Sequence, residues 1–346
     1  MSAGRLSAAE PQLNWLAESG RAALAVSGGA DSLALMVLMR RAADRVGVDP
    51  NSIIVYSVDH RLRPEAADEV AYVVRTARDM GFSARALAWE GEKPATGVQA
   101  AARTARYRLM AEAMRADDKV DLVTAHHMAD QAETVLMRLA HGSGIEGLKG
   151  MNGLSFVEGC RVSRPLLGVR PEVLRQVVRD AGLVPAEDPS NVDPHYERVR
   201  WRQFQPQLDA MGLTIERLSV LADRMSDAAD LINDRADVAH MELVTPLEGG
   251  RVSLPRGRFS VLNPLVRAAL LESILGYVSG NRGPVPLGPM EALCARIADH
   301  VPFKASTLHG CVIAVQGKRL VIRPEGPRRA AEKQRLGTRR RDGELT

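Results

Sequence analysis

Aromatic residues make up only 4% of this 346-residue chain, so a platform of stacked rings is not the expected way for it to hold nucleic acid. Cysteine is scarcer still, with Cys160, Cys294 and Cys311 far apart along the chain. No two form a C-x-x-C pair, so neither a dithiol redox motif nor a zinc knuckle is supported. They read as small buried hydrophobes, and a disulfide is not expected in a reducing compartment. No apolar run approaches the roughly 20 residues that cross a bilayer. The opening residues, MSAGRLSAAEPQ, lack the apolar core of a secretory signal. The expectation is a cytoplasmic protein with no membrane contact. No internal repeat is visible. No lysine follows the glycines of the first loop, so a G-x-x-x-x-G-K-[ST] phosphate loop is absent.

What is present is the composition of a soluble globular protein, 45% hydrophobic and 25% charged. The length suggests two or three domains. The net charge is +4 and the sequence pI about 9.1, which permits an anionic partner without requiring one. Arginines concentrate in the tail, PRRAAEKQRLGTRRRDGELT, which reads as a disordered basic arm.

Through the first half, strand-like runs alternate with helix-like ones. AALAV (22–26) precedes SLALMVLMRRAADRV. SIIVYSVDH (52–60) precedes PEAADEVAYVVRTARDMG. SARALAW precedes AARTARYRLMAEAMRA, and VDLVTAHH precedes ADQAETVLMRLAHG. This rhythm predicts an α/β fold with a doubly wound, mostly parallel sheet. Ligands bind such sheets outside the carboxyl ends of the strands, and there the sequence places SGGADS, VDHRLRPEA and TAHHMAD. Beyond about residue 200 the pattern turns helical, in IERLSVLADRMSDAADLINDRADVAHMEL and LNPLVRAALLESILGYVSG. The short strand-like pieces CVIAVQ and RLVIRP come last. The expected organisation is a catalytic domain over 1–202, a helical domain over 203–299 and a small terminal element with its basic tail over 300–346.

In SGGADS, Gly28 and Gly29 let the backbone adopt positive φ and come close to a ligand. The N–H groups and dipole of the following helix attract an anion such as phosphate. Ser27 and Ser32 can add hydroxyl donors, with Ala30 between the glycines and Asp31. Asp31 would repel a bare anion, so it fits a Mg²⁺ ion bridging phosphates. The plainer alternative is a strand-to-helix turn capped by Asp31 or Ser32.

S-G-G-x-D-S after a first strand resembles the signature of the PP-loop ATP pyrophosphatases. These cleave ATP between its α and β phosphates and pass AMP to a substrate oxygen. Motif by motif, the chain is similar to the bacterial tRNA(Ile)-lysidine synthetases of that superfamily. YSVDHRLRPEA (56–66) looks like their V-D-H-x-L-R segment, and AARTARYRLM like their A-R-x-x-R-Y helix. TAHHMADQAETVLMRLAHGSGIEGLKGM resembles their longest motif. RPLL (164–167) and EDPSNVDPHYERVRWR (187–202) match later blocks. The resemblance spans residues 21 to about 202. It departs at Ala129-Asp130, where a D-D pair is common, at His141-Gly142-Ser143-Gly144 in place of R-G-S-G, and at Arg198-Val199 in place of R-N.

The resemblance implies a ligase that uses ATP and Mg²⁺. Its partners would be an isoleucine tRNA with a CAU anticodon and free L-lysine, and a homodimer stays open. The C2 carbonyl oxygen of the wobble cytidine is adenylated, lysine attacks through its ε-amine, and AMP leaves. The wobble base must be splayed from its stack, which an unpaired loop allows.

The resemblance also assigns residues. Ser27 to Ser32, with Asp59 and His60 at the end of the second strand, would hold ATP. Asp31, Arg103, Arg106 and His126 would be catalytic, the arginines suiting phosphate and developing charge. Asp130 and Glu133, three apart on one helical face, would hold lysine by charge-assisted hydrogen bonds. Arg198, Arg200 and Arg202 would contact tRNA phosphates. Carboxylates favour the charged amine, which is no nucleophile. Free lysine at pH 7 already lies about 4.6 kcal/mol from its neutral form. A proton acceptor is therefore needed, and His126, His127 and a phosphate oxygen are all candidates. The rivals are a tRNA thiolase, an amidotransferase-type ligase and a nucleotide-sensing module without catalysis. The isolated cysteines oppose the first and the lack of a visible glutaminase segment opposes the second. Only Ala129 favours the third.

Overall fold

A computed structural model describes residues 3–62, 65–94, 96–186, 193–281, 283–299 and 302–326. Arg63 and Pro64 of the second motif, residues 187–192 of the E-D-P-S-N block and the basic tail from 327 lie outside the described residues. The chain divides into two compact units, Met1–Met225 and Ser226–Thr346.

In chain order the first unit holds α1 (Ala3–Glu18), β1 (Ala22–Ala25), α2 (Ala30–Val46), β2 (Ile54–Asp59), α3 (Ala66–Asp79), β3 (Ser83–Ala88), α4 (Val98–Ala116), β4 (Asp121–Val123), α5 (Met128–Ala140), a single turn α6 (Ile145–Leu148), β5 (Leu154–Val157), β6 (Cys160–Ser163), α7 (Pro171–Asp180), α8 (Glu197–Ala210) and the start of α9 (Ile215–Leu243). The sheet order is β3-β2-β1-β4-β6-β5. All neighbours are parallel except the β5–β6 hairpin. This is the expected α/β architecture, and the order reverses at β1, which lies between β2 and β4.

Both faces of the sheet are covered, which is why its strands read as continuous apolar runs. Leu24, Val55 and Val123 point into a core with Leu13, Leu33, Met36, Val73 and Leu174 of α1, α2, α3 and α7. Their neighbours Ala23, Ile54, Tyr56 and Leu122 point the other way, against Tyr107, Met110 and Met114 of α4. A smaller cluster joins Ala132, Val135 and Leu136 of α5 to Leu208 of α8 and Leu218 of α9.

Two expected strands are shorter than the sequence suggests. Pro50–Ser52 forms a 3₁₀ turn capped by the Asp49 side chain, so β2 begins at Ile54. β4 ends at Val123, and Thr124 to His127 leave the sheet as a loop. His127, not an acid, caps α5, its Nδ1 accepting the N–H of Ala129 at 3.2 Å.

The second unit contains the rest of α9, β7 (Thr245–Leu247), β8 (Arg251–Pro255), α10 (Arg256–Ser260), α11 (Pro264–Ser279), α12 (Leu287–Ala298), β9 (Ser306–Leu308), β10 (Cys311–Gln316) and β11 (Arg319–Pro324). The terminal strands expected from CVIAVQ and RLVIRP belong to a five-stranded antiparallel sheet ordered β7-β8-β11-β10-β9. Val252, Leu254, Ile313, Leu320 and Ile322 share a core with Leu270, Ile274, Leu293 and Ile297 of α11 and α12. Cys160, Cys294 and Cys311 are all free and buried. Among the described residues no helix is long and apolar enough to cross a membrane.

Candidate functional site

The loops after β1, β2, β4 and β6 leave the same edge of the parallel strands, as the sheet order requires. Gly28 sits at φ +92°, and an added Cβ would lie in ordinary contact, 3.4 Å from Val73 Cγ2 and 3.6 Å from Ala186 Cβ. It is the left-handed conformation, not space, that calls for glycine there. The Ser32 hydroxyl is spent on the turn: it donates to Gly29 O at 2.9 Å and accepts the N–H of Ser27 at 3.2 Å. The Ser27 hydroxyl lies 3.4 Å from it, and Ser27 is exposed. The first backbone bond of α2 runs from Leu33 N to Gly29 O, and no side chain caps the helix. The N–H groups of Ala30 and Asp31 therefore precede the helical ladder, the arrangement that suits an anion.

Asp31 is 44% exposed, and its Oδ2 lies 3.3 Å from His127 Nε2. Because His127 Nδ1 accepts from Ala129, the imidazole carries its proton on Nε2 and donates it to Asp31. The His127 backbone N–H donates to Asp130 Oδ2 at 3.0 Å. One buried histidine thus ties the carboxylate in the first turn of α2 to the first turn of α5. Burial alone would depress His127. The hydrogen bond to Asp31 and the charges of Asp130, Asp31 and Glu133 outweigh it and raise its pKa.

His126 points differently. Its Nδ1 is 2.9 Å from Thr124 Oγ1. Burial, with the cations Arg164, Arg103 and Arg198 against Asp130, pushes its pKa down to about 4. It is a neutral imidazole at pH 7.

Burial would raise Asp130, but His127, its backbone N–H, His126 and Arg198 hold the carboxyl below its ordinary value. Glu133, one helical turn on, is 3% exposed. Its Oε1 accepts from Arg202 Nε at 2.9 Å, while Oε2 is buried with no partner. Burial pushes this carboxyl up, against the pull of Arg202.

The three arginines after residue 197 separate. Arg198 and Arg202, four apart on α8, both face α5. Arg198 Nη2 donates to Thr134 Oγ1 at 3.2 Å, and its Nη1 lies 3.8 Å from Asp130 Oδ1. Arg200 turns the other way and donates to Pro194 O at 3.0 Å and His195 O at 3.1 Å.

On α4 the guanidinium carbon of Arg103 lies 5.2 Å from the Tyr107 ring centre and that of Arg106 lies 5.9 Å from it. Burial lowers the Arg106 pKa, and burial, then the charge of Arg106, depresses His60. Asp59 accepts the N–H of Arg61 at 2.7 Å and shapes the turn after β2. His60 Nδ1 is buried without a partner, and its ring meets Trp89 edge-on at 6.3 Å.

Sequence reasoning missed Arg164, which directly follows β6. Its Nη1 donates to Asn152 O at 2.9 Å and Ser155 Oγ at 2.8 Å, and its Nε is buried without a partner. R-P-L-L was legible as a motif, but β6 was not read as a strand, so its carboxyl end drew no attention. Among the described residues no group of three His, Cys, Asp or Glu side chains could cage a metal. The single exposed carboxylate of Asp31 beside free N–H groups fits an ion held chiefly by nucleotide phosphates, as Mg²⁺ is.

Comparison with known proteins gives the family. The PP-loop domain family matches residues 6–208. A tRNA(Ile)-lysidine synthase of Bradyrhizobium sp. (strain BTAi1) is 41% identical over 335 residues, covering 90% of this chain and 92% of that one. The tRNA(Ile)-lysidine synthase of Rhodopseudomonas palustris is 42% identical over 317 residues, covering 88% and 91%. That of Bradyrhizobium diazoefficiens is 37% identical over 327 residues, covering 88% and 90%.

Proposed function

The chain belongs to the tRNA(Ile)-lysidine synthases, ATP-dependent enzymes of the PP-loop family, and from that membership we infer that it converts the wobble cytidine of an isoleucine tRNA with a CAU anticodon to lysidine. The observation that carries this reading is the pair of acids Asp130 and Glu133 on one face of α5, tied through His127 to Asp31 beside the phosphate loop.

In the first half-reaction the C2 carbonyl oxygen of cytidine attacks the α-phosphorus of ATP and pyrophosphate leaves. In the second the ε-amine of lysine attacks C2, the C2–O bond breaks, and AMP departs with the oxygen. One proton is lost from the amine. Ser27 to Ser32 cradle the phosphates through backbone N–H groups, and Gly28 supplies the close approach. Asp59 and His60 border the nucleoside half of ATP. Asp31 would hold a Mg²⁺ ion that neutralises phosphate charge when bound. His127 keeps Asp31 aimed. Arg103 and Arg106 stabilise the negative charge that develops on the transferred group.

Asp130 and Glu133 hold the lysine. Neither nitrogen of His127 is free, since one donates to Asp31 and the other accepts from Ala129. His126 is neutral and has no carboxylate on its ring, but with a pKa of about 4 it is a weak base, which favours a phosphate oxygen of the adenylate as the proton acceptor. Arg200, on the side of α8 away from Glu133, suits a tRNA phosphate, and the residues beyond 202 would grip the tRNA body. A tRNA substrate puts the reaction in the cytoplasm.

The deciding experiment is incorporation of labelled lysine into a CAU isoleucine tRNA transcript with ATP and Mg²⁺. Incorporation that vanishes when the wobble cytidine is replaced supports the reading. AMP release with tRNA but without lysine incorporation overturns the nucleophile while keeping the PP-loop chemistry.

A further inference from the structure

We propose that β5, the open edge of the mostly parallel sheet, docks against β5 of a second copy of this chain, joining the two sheets about a twofold axis at Ser155. β5 is the outermost strand of its sheet. It runs antiparallel to β6, with Leu154 opposite Ser163 and Phe156 opposite Arg161. Both β6 residues face α1: Gln12 donates to Ser163 Oγ at 3.0 Å, and the Arg161 guanidinium carbon lies 6.0 Å from the Trp15 ring centre. Opposite residues of an antiparallel pair share a face, so Leu154, Phe156 and Trp15 stand together on the α1 side. They are 50%, 78% and 53% exposed. Ser155 points to the other face, where its hydroxyl accepts from Arg164.

The backbone says where a partner must go. The Arg164 N–H donates to Gly153 O at 2.8 Å, so Gly153, Ser155 and Val157 are the residues whose main chain bonds β6. The N–H and C=O groups of Leu154 and Phe156 point away from the sheet, where no described strand lies. Edge strands are ordinarily guarded by a charge or a proline. Leu154–Val157 has neither.

This edge is complementary to itself, which selects a second copy over an unrelated apolar partner. Antiparallel pairing about Ser155 sets Leu154 of each copy opposite Phe156 of the other. These are the residues with outward main-chain groups, so each opposed pair exchanges both of its N–H···O bonds. The same register packs a leucine on a phenylalanine at either side of the axis, flanked by the two Trp15 rings. A slip of one residue would oppose side chains from different faces. Arg161, the charge within the patch, is held by Asp121 through Nε and Nη2 at 2.7 Å each, so the axis does not bring two bare cations together. At these exposures the three side chains of both copies would cover on the order of 800 Å². A stable interface buries roughly 1,200 Å² or more. The strand backbone and the stem of Arg161 supply part of the remainder, and the expected association is micromolar.

The test measures the mass of the full chain by sedimentation from about 1 to 100 µM. The native chain is expected to pass from monomer to dimer across that range. Phe156→Lys puts a charge on an exposed edge position and should weaken the dimer by about 10-fold or more with an unchanged melting temperature. The register is read separately. Chains carrying Leu154→Cys, mixed with chains carrying Phe156→Cys, should form a disulfide-linked pair under mild oxidation, because opposed Cα atoms of a hydrogen-bonded pair lie about 5.5 Å apart. Either variant alone should not. The native cysteines are all buried, so they add little background. A native chain that stays monomeric throughout, a dimer that survives Phe156→Lys, or cross-linking as strong in either cysteine variant alone overturns the proposal. So does a monomeric chain whose tRNA affinity falls in Phe156→Ser, which would make the patch a contact for bases.

Discussion

His126 and His127 are adjacent in sequence and opposite in behaviour. Backbone direction separates them: one ring turns to Thr124 among arginines, the other caps α5 between two carboxylates. The difference is measurable as a pH dependence of stability. His126 falls from its ordinary 6.5 to about 4 in the folded chain. The unfolded chain therefore takes up this proton first as pH drops. The contribution is fully present above about pH 6.5 and is lost as pH falls toward 4, amounting to about 3 kcal/mol at most. Denaturant unfolding at pH 7.5 and 4.5 should show a smaller loss for His126→Asn than for the native chain; an equal loss would contradict the assignment. Asp31→Ala should lower tRNA adenylation by ~100-fold or more, read as pyrophosphate release, and normal AMP transfer would remove Asp31 from the phosphate site. Glu133→Gln should raise the lysine KM by about 10-fold or more while adenylated tRNA accumulates. Lost adenylation with unchanged lysine affinity would refute its role.

At the scale of elements, the long motif from Thr124 to Met151 is one mechanical piece. Gln131 donates to Lys149 O at 3.3 Å and Met151 O at 3.1 Å, and accepts the Met151 N–H at 2.7 Å. Arg138 donates to Gly147 O at 2.7 Å and Gly150 O at 2.6 Å. The glycine-rich stretch after α5 is thereby folded back onto the helix that carries Asp130 and Glu133. Gly150, at φ +69°, leaves only 2.5 Å between a would-be Cβ and Gln131 Oε1. Gln131→Ala should cost about 1–2 kcal/mol, because part-buried backbone groups of Lys149 and Met151 lose their partner. A thermal melt within error of the native chain would show the loop is held by something else. The helix α8 was partly legible in the same way. Its arginines could be seen, but not that Arg198 and Arg202 fold back on α5, because contacts 64 and 69 residues apart leave no local pattern. His141 and Val199, two of the departures from the family pattern, are also placed by the fold: His141 Nε2 lies 3.3 Å from Glu197 Oε1, and Val199 is buried.

For the whole molecule, a substrate with a phosphate backbone should make binding strongly salt-dependent. The affinity for tRNA is expected to fall linearly with salt on logarithmic axes, and a flat response would argue against a phosphate-dominated interface. What the sequence by itself determined is what acts over a few residues. The glycine pair and helix start of the β1–α2 loop, the apolar strands, the long helix over 215–243 and the family motifs were readable because each is set by neighbours along the chain. Tertiary structure decided what depends on distance through space. It joined β7, β8 and β9 to the two terminal strands, since strand pairing is satisfied by remote backbone. It tied His127 to Asp31, left Glu133 Oε2 without a donor, and turned two arginines inward. Charges and hydrogen bonds in a desolvated crevice are set by whichever groups the fold brings within a few ångströms, and that proximity is written in no single stretch of sequence.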